Sequence, residues 1–166
     1  IACREAFPDM TDLPCDTFED VFAAVNEGRA RLAMIAIENS LAGRVADVHH
    51  LIPGAGLYIV GEHFLPVRHQ LLGLKGSRIE DIRTVHSHVH ALGQCRRAIR
   101  ELGLKAVVAA DTAGAARQVV EAADKTRAAI ASNLAADIYG LDVLRADIED
   151  ETHNTTRFLV MAKEPN

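Results

Sequence analysis

Short apolar runs alternate along this chain with segments in which apolar residues recur every three or four positions. The runs predict buried strands, and the second pattern predicts helices that each bury one face. Four runs lead into a small hydroxyl or amide residue, the kind that commonly caps a helix N-terminus. These predicted strands are 31–37, 82–86, 105–110 and 127–131. Strands that alternate with helices favour an α/β fold with mostly parallel sheets flanked by helices.

Two extended stretches interrupt this alternation. The first comprises segments 57–60 and 65–72 around Gly61-Glu62-His63, and the second lies near 146–148. Two crossings predict two lobes, with the last strand returning to the first lobe and a ligand held in the cleft between them. The predicted first lobe is 1–62 plus 147–166, and the second is 63–146.

Composition narrows the class of protein. About half of the 166 residues are apolar and a quarter are charged, as in a soluble globular protein. The net charge of −5 argues against a nucleic-acid or anionic-membrane partner. Three cysteines without paired spacing argue against a disulfide framework and fit reduced thiols of a cytoplasmic protein. No apolar run is long enough to predict a membrane span.

The segment Asn154-Thr155-Thr156-Arg157-Phe158 precedes the last apolar run, 159–162. It therefore places a hydroxyl, an amide and a guanidinium at the end of a predicted buried strand, where α/β proteins often bind ligands. A guanidinium matches two oxygens of a carboxylate or phosphate at once. The alternative interpretation is a turn of Asn and Thr beside an ordinary surface arginine. These five residues alone leave both interpretations open.

The predicted strand-to-helix joints offer further donors for an anion. Asn39, Ser40, Ser87 and Thr112 lie where backbone N–H groups and the positive end of a helix dipole are available. Taken singly, each is more simply an ordinary cap. Together with Arg157, they form a hypothetical binding site for a small anion.

The sequence offers little support for a metal site, a nucleophilic serine or a nucleotide-binding loop. The alternating histidines 86, 88 and 90 span a predicted strand-to-helix break, so their rings should not share a face and no metal site is predicted. Neither a nucleophile elbow nor a glycine-rich nucleotide loop occurs, so no cofactor is predicted. The acidic run 149–151 is most simply a solvated turn.

The motif at 154–158 resembles the N-x-T-R-F signature of prephenate dehydratases. Other segments match the family in the same order along the chain. They are Ile37-Glu38-Asn39-Ser40, Gly61-Glu62 with Leu65-Pro66, Ser87-His88-Val89-His90-Ala91-Leu92 with Gln94-Cys95, Asp111-Thr112-Ala113-Gly114, and Ala129-Ile130-Ala131-Ser132. Departures from the family pattern are Ala36, Val89 and His90, where Pro, Pro and Gln are common.

The resemblance implies a two-lobed fold like that of type II periplasmic binding proteins. It also implies a cytoplasmic carbon–oxygen lyase of L-phenylalanine biosynthesis, a homodimer that converts the dicarboxylate prephenate to phenylpyruvate. The family's opening strand is expected before Ile1, inside the first sheet, and no regulatory ACT domain follows in this chain. Activity of this chain and feedback by phenylalanine are therefore not predicted.

The resemblance also suggests roles for the site residues. Thr156 would be catalytic, donating to the departing hydroxyl, and Arg157 would bind a substrate carboxylate. The expected substrate-binding residues are Arg157, Asn39, Ser40, Ser87, Thr112, Asn154 and Phe158. The alternatives are arogenate as the substrate, or a non-catalytic two-lobed protein that binds a carboxylate.

Overall fold

A computed structural model describes residues 1–165 as a set of short helices and strands. The helices are α1 (Ala2–Ala6), α2 (Phe18–Asn26), α3 (Ala46–Leu51), α4 (Val89–Gln94), α5 (Arg96–Glu101), α6 (Thr112–Ala122) and α7 (Asn133–Tyr139). The strands are β1 (Leu32–Asn39), β2 (Gly43–Arg44), β3 (Tyr58–Pro66), β4 (Gln70–Gly73), β5 (Thr84–Ser87), β6 (Lys105–Val108), β7 (Arg127–Ala131), β8 (Asp142–Arg145) and β9 (Thr155–Ala162). No helix within this range is long and apolar enough to cross a membrane.

The chain separates into two compact units. Unit 1 comprises Ile1–Val67 and the C-terminal segment from His153 onward, and unit 2 is Arg68–Thr152. Both boundaries lie five or six residues later than the sequence predicts. The first differs because β3 is one continuous strand through Pro66, where the sequence predicts two extended segments around Gly61.

Unit 1 is built on a four-stranded sheet in the order β2-β1-β9-β3, and every neighbouring pair is antiparallel. One face of this sheet buries Ile35, Leu159 and Met161 against α2 and α3, which contribute Phe22 and Val48. This burial removes apolar surface from water and holds the returning strand β9 at the centre of the sheet.

Unit 2 is built on a five-stranded sheet in the order β6-β5-β7-β4-β8. Strand β5 runs parallel to β6 and β7, whereas β4 is antiparallel to β7 and β8. Small side chains allow close packing here, since Ala129 and Ala131 of β7 pack with Ala115, Ala116 and Val119 of α6. The α/β class with two sheets and flanking helices is thus confirmed.

The prediction of mostly parallel sheets is wrong, because parallel pairing occurs only around β5. Strand–helix alternation predicts parallel neighbours where a helix connects them, as it does between β5, β6 and β7. Strands β4 and β9 follow non-helical segments, so nothing in their connections requires them to run parallel to a neighbour. Strand β8 follows α7 but pairs with β4, which is antiparallel to both β7 and β8.

The acidic run before β9 is not a solvated turn. Glu149 is buried and accepts a hydrogen bond from His69 N at 2.8 Å. The Asp150 carboxylate accepts from Arg96 N and Arg97 N, both at 2.9 Å, and so satisfies free N–H groups at the start of α5. These bonds attach the segment to unit 2, which explains the later second boundary.

Candidate active site in unit 1

Three polar side chains meet at the ends of β1 and β9. Asn39, the last residue of β1, lies directly opposite Thr156 in the antiparallel register. Its Nδ2 atom donates to Asn154 Oδ1 at 2.7 Å and to Thr156 Oγ1 at 3.0 Å. Asn154 is almost completely buried, with 2% of its surface exposed. We call Asn39, Asn154 and Thr156 the amide cluster.

The turn after Asn39 is attached to the same segment of chain. Ser40 Oγ donates to His153 O at 2.9 Å and accepts from Thr155 N at 2.9 Å. Asn39 Oδ1 accepts from Leu41 N and from the following backbone N–H, both at 3.0 Å. The structure therefore brings together the two motifs that carry Asn39, Ser40, Asn154 and Thr156, although more than 100 residues separate them.

Arg157 lies on the opposite face of β9 from Thr156, because successive side chains of a strand alternate between faces. Its guanidinium contacts Glu62 at 2.9 Å and Glu38 at 3.2 Å. The hydrogen bonds that the guanidinium donates, first to Glu38 and then to Glu62, raise the pKa of Arg157 above its usual value. The structure thus differs from the expectation that Thr156 and Arg157 approach one ligand, since two carboxylates of unit 1 already occupy the guanidinium.

Phe158 lines a cavity within unit 1 that has a volume of about 520 Å³. Phe7, Met10 and Phe18 contribute apolar lining, and so does Met34 of β1. The members of the amide cluster do not line it. Phe158 therefore borders a mostly apolar cavity. From the sequence alone, Phe158 could equally have lined a pocket for the substrate ring or packed into the hydrophobic core.

Two expected ligand-binding residues belong to unit 2 and do not cap helices. Ser87 is fully buried, and its hydroxyl donates to Ile130 O at 2.6 Å. The N-cap of α4 is instead His88, and that of α6 is Asp111, which precedes Thr112. Ser87 was expected to offer its hydroxyl to a ligand, but that proton is already used inside the sheet.

Burial also determines the state of two titratable groups in unit 2. Burial, and then Asp150 and Glu149, raise the pKa of the Cys95 thiol to about 12. Burial, and then the positive charge of Arg127, lower the pKa of His86. The neutral forms of both groups are therefore favoured in the folded protein.

The three histidine rings do not share one face in unit 2, although two of them are in contact. His88 and His90 stack with ring centroids 4.9 Å apart, whereas His86 is buried in β5 beside Thr84. Within residues 1–165, no three His, Cys, Asp or Glu side chains are grouped closely enough to hold a metal ion.

Sequence reasoning missed the two carboxylates that bind Arg157. Both were visible in matched motifs, as Glu38 directly precedes Asn39 and Glu62 follows Gly61. It also missed the contact between His69 Nε2 and Gln94 Oε1, at 2.7 Å in unit 2. The presence of these residues in matched motifs was the available signal that they matter. Which side chains they contact could not be predicted, because the contacts depend on strand register.

Comparison with known proteins agrees with the matched motifs. A family model described as "Prephenate dehydratase" matches residues 1–166. A bifunctional N-acyl-homoserine lactone acylase/prephenate dehydratase of Komagataeibacter europaeus is 56% identical over 165 residues, covering 99% of this chain and 59% of that protein. Arogenate dehydratase/prephenate dehydratase 2, chloroplastic, of Arabidopsis thaliana is 43% identical over 164 residues, covering 99% of this chain and 43% of that protein.

A solved structure resembles the fold over nearly the whole chain. Prephenate dehydratase from Arthrobacter aurescens, in complex with L-Phe, has a TM-score of 0.83 and 31% sequence identity, covering 98% of this chain and 56% of that one. The chain thus spans between about two fifths and three fifths of the length of these relatives. Because the family model matches from the first residue to the last, this chain belongs to the prephenate dehydratase family.

Proposed function

We propose that this chain carries the prephenate dehydratase activity, the decarboxylating dehydration of prephenate to phenylpyruvate. The observation that carries the proposal is the amide cluster, in which Asn39 donates to Asn154 Oδ1 and to the Thr156 hydroxyl at the end of β9. Family membership supplies the reaction class, a lyase-type dehydration. The proposed reaction uses no cofactor or metal.

The reaction needs little covalent help from the protein. The bond between the ring and its carboxylate breaks, and its electrons enter the ring while carbon dioxide leaves. The ring carbon–hydroxyl bond breaks at the other end, and the ring becomes aromatic. The departing hydroxide needs a hydrogen-bond donor, and the Thr156 hydroxyl takes this role. Because a hydroxyl is a weak acid, the proton that completes the water molecule comes through a network with solvent.

The remaining residues receive different roles in this proposal. Arg157 ties β1 and β3 to β9 through Glu38 and Glu62, in place of the expected contact with a substrate carboxylate. Ser40 anchors the turn beside Thr156. Thr112 and Phe158 stay candidates for substrate contact.

The experiment is the Thr156→Val variant, which removes the hydroxyl and keeps the shape of the side chain. We expect turnover to fall roughly a hundredfold, the scale for removing one donor to developing negative charge. Thr155→Val is the matched control, since Thr155 is the adjacent residue of β9 and its side chain points to the other face. Phenylpyruvate absorbance measures both variants. Equal turnover in the two would remove Thr156 from the catalytic role.

Assays with both prephenate and arogenate identify the substrate, because the Arabidopsis relative is named for both activities. Tight binding of prephenate without product would instead support a non-catalytic carboxylate-binding protein. The same proposal places the protein in the cytoplasm as a homodimer, which cell fractionation and sedimentation equilibrium test.

A second candidate activity is hydrolysis of N-acyl-homoserine lactones. The observation that favours it is the 56% identity to the Komagataeibacter protein, which is named for that activity as well. Incubation with an N-acyl-homoserine lactone, followed by mass spectrometry of the released fatty acid, tests it. The Thr156→Val variant shows whether the two activities share the amide cluster.

A further inference from the structure

The orientation of the Asn39 amide is determined by its backbone neighbours. Its Oδ1 atom lies 3.0 Å from Leu41 N and from Ala42 N. Backbone N–H groups only donate, so the atom that faces them must be the amide oxygen. The other end of the side chain is therefore the Nδ2 atom with its two protons.

Both protons of Asn39 Nδ2 are used within the amide cluster. One is donated to Asn154 Oδ1 at 2.7 Å and the other to Thr156 Oγ1 at 3.0 Å. An amide side chain has two protons and two acceptor positions, so the hydrogen-bonding capacity of Asn39 is fully satisfied. A hydrogen bond from Asn39 to a ligand would require one of these bonds to break.

The same bond determines the direction of the Thr156 hydroxyl. A hydroxyl has one proton and two acceptor positions, and Thr156 Oγ1 accepts from Asn39. Its own proton must therefore point away from Asn39. Among residues 1–165, no protein acceptor takes that proton. Thr156 as a residue is only partly buried.

We infer that Asn39 is a positioning residue, which makes Thr156 a hydrogen-bond donor toward the ligand by occupying its acceptor side. Asn154 fixes the second proton of Asn39 and so completes the arrangement. This role differs from the expected one, in which Asn39 itself binds the substrate. The inference rests on the proposed dehydratase function for its kinetic test, but a second test uses no substrate.

The kinetic test compares Asn39→Asp with Asn39→Ala. The aspartate keeps an oxygen for the N–H groups of Leu41 and Ala42, but its second oxygen now faces Thr156 and accepts the hydroxyl proton. Alanine removes both interactions and leaves the hydroxyl free to donate. We expect kcat to fall about a hundredfold or more in Asn39→Asp and roughly tenfold in Asn39→Ala.

A structural or substrate-binding role predicts the opposite order, because aspartate preserves the turn after Asn39 and alanine does not. Protonation of the new carboxylate restores a donor toward Thr156, so kcat of Asn39→Asp should recover only as the pH falls toward about 4, the ordinary pKa of an aspartic acid. Glu38 and Arg157 are the charged neighbours on the same strands, and both lie on the opposite face. Higher kcat in Asn39→Asp than in Asn39→Ala would overturn the inference.

The second test detects the hydrogen bond directly in the unliganded full chain. NMR resolves the two side-chain amide protons of Asn39. One of them loses its acceptor when Asn154 is replaced by leucine, and the other when Thr156 is replaced by valine. Thr156→Val should shift one resonance, whereas Thr155→Val should shift neither. Absence of a shift in Thr156→Val would refute the inference whether or not the protein is active. Inactive wild-type protein with the expected shift would contradict only the proposed function.

Discussion

Asn154 allows the strength of the amide cluster to be measured as stability. The Asn154→Leu variant keeps the approximate size of the side chain but removes Oδ1, the acceptor for Asn39 Nδ2 at 2.7 Å. Asn39 is only partly exposed, so water replaces the lost acceptor poorly. Leaving a buried donor unsatisfied costs about 1–3 kcal/mol. For a chain of this length, that corresponds to a decrease in Tm of roughly 2–12 °C.

The matched control is Asn26→Leu. Whereas Asn154 accepts from Asn39, the Asn26 side chain donates, to Ala55 O at 3.0 Å. Asn26 is exposed, so water can replace this bond. We expect this control to change the unfolding free energy by less than about 0.5 kcal/mol. Circular dichroism measures Tm, and hydrogen exchange with mass spectrometry locates the change, which should fall on unit 1. Equal losses in both variants would refute the argument that burial strengthens the Asn154–Asn39 bond.

Three further predictions follow from burial and capping in unit 2. Because the pKa of Cys95 is about 12, iodoacetamide at about pH 8 should modify the exposed Cys3 and leave Cys95 unmodified until urea is added. Peptide mass spectrometry measures the modification of each cysteine, and equal modification rates for the two would contradict the burial of Cys95. The lowered pKa of His86 favours its neutral form, so the contribution of His86 to stability is present above about pH 6.5 and is lost as the pH falls below this value. In urea titrations, His86→Gln should therefore reduce the dependence of the unfolding free energy on pH. An unchanged dependence would contradict the assigned role of His86. Asp150→Ala should destabilise the start of α5 by about 0.5–2 kcal/mol, and Asp111→Ala should destabilise the start of α6 by a similar amount. In each variant, faster amide hydrogen exchange should be confined to the first turn of that helix. Unchanged exchange would show that the carboxylates do not cap these helices.

Local residue patterns were enough to locate most helices and strands and to identify the family of the chain. The apolar run 127–131 predicted β7 at its observed bounds, and the run 31–37 predicted most of β1. Such runs are informative because burial of apolar side chains decides which segments become strands. The motifs around Asn39 and Thr156 identified the family because their residue types occur together in a definite order.

Which of these residues contact one another depends on how the strands pair and pack. The register of β1 against β9 places Asn39 opposite Thr156, and the alternation of a strand turns the neighbouring Arg157 to the other face. Packing within unit 2 likewise places the buried Ser87 hydroxyl where it donates a hydrogen bond to Ile130 O. These partners lie 43 to 119 residues apart along the chain. Local residue pattern carries no record of register over such distances, because register depends on how whole strands pack.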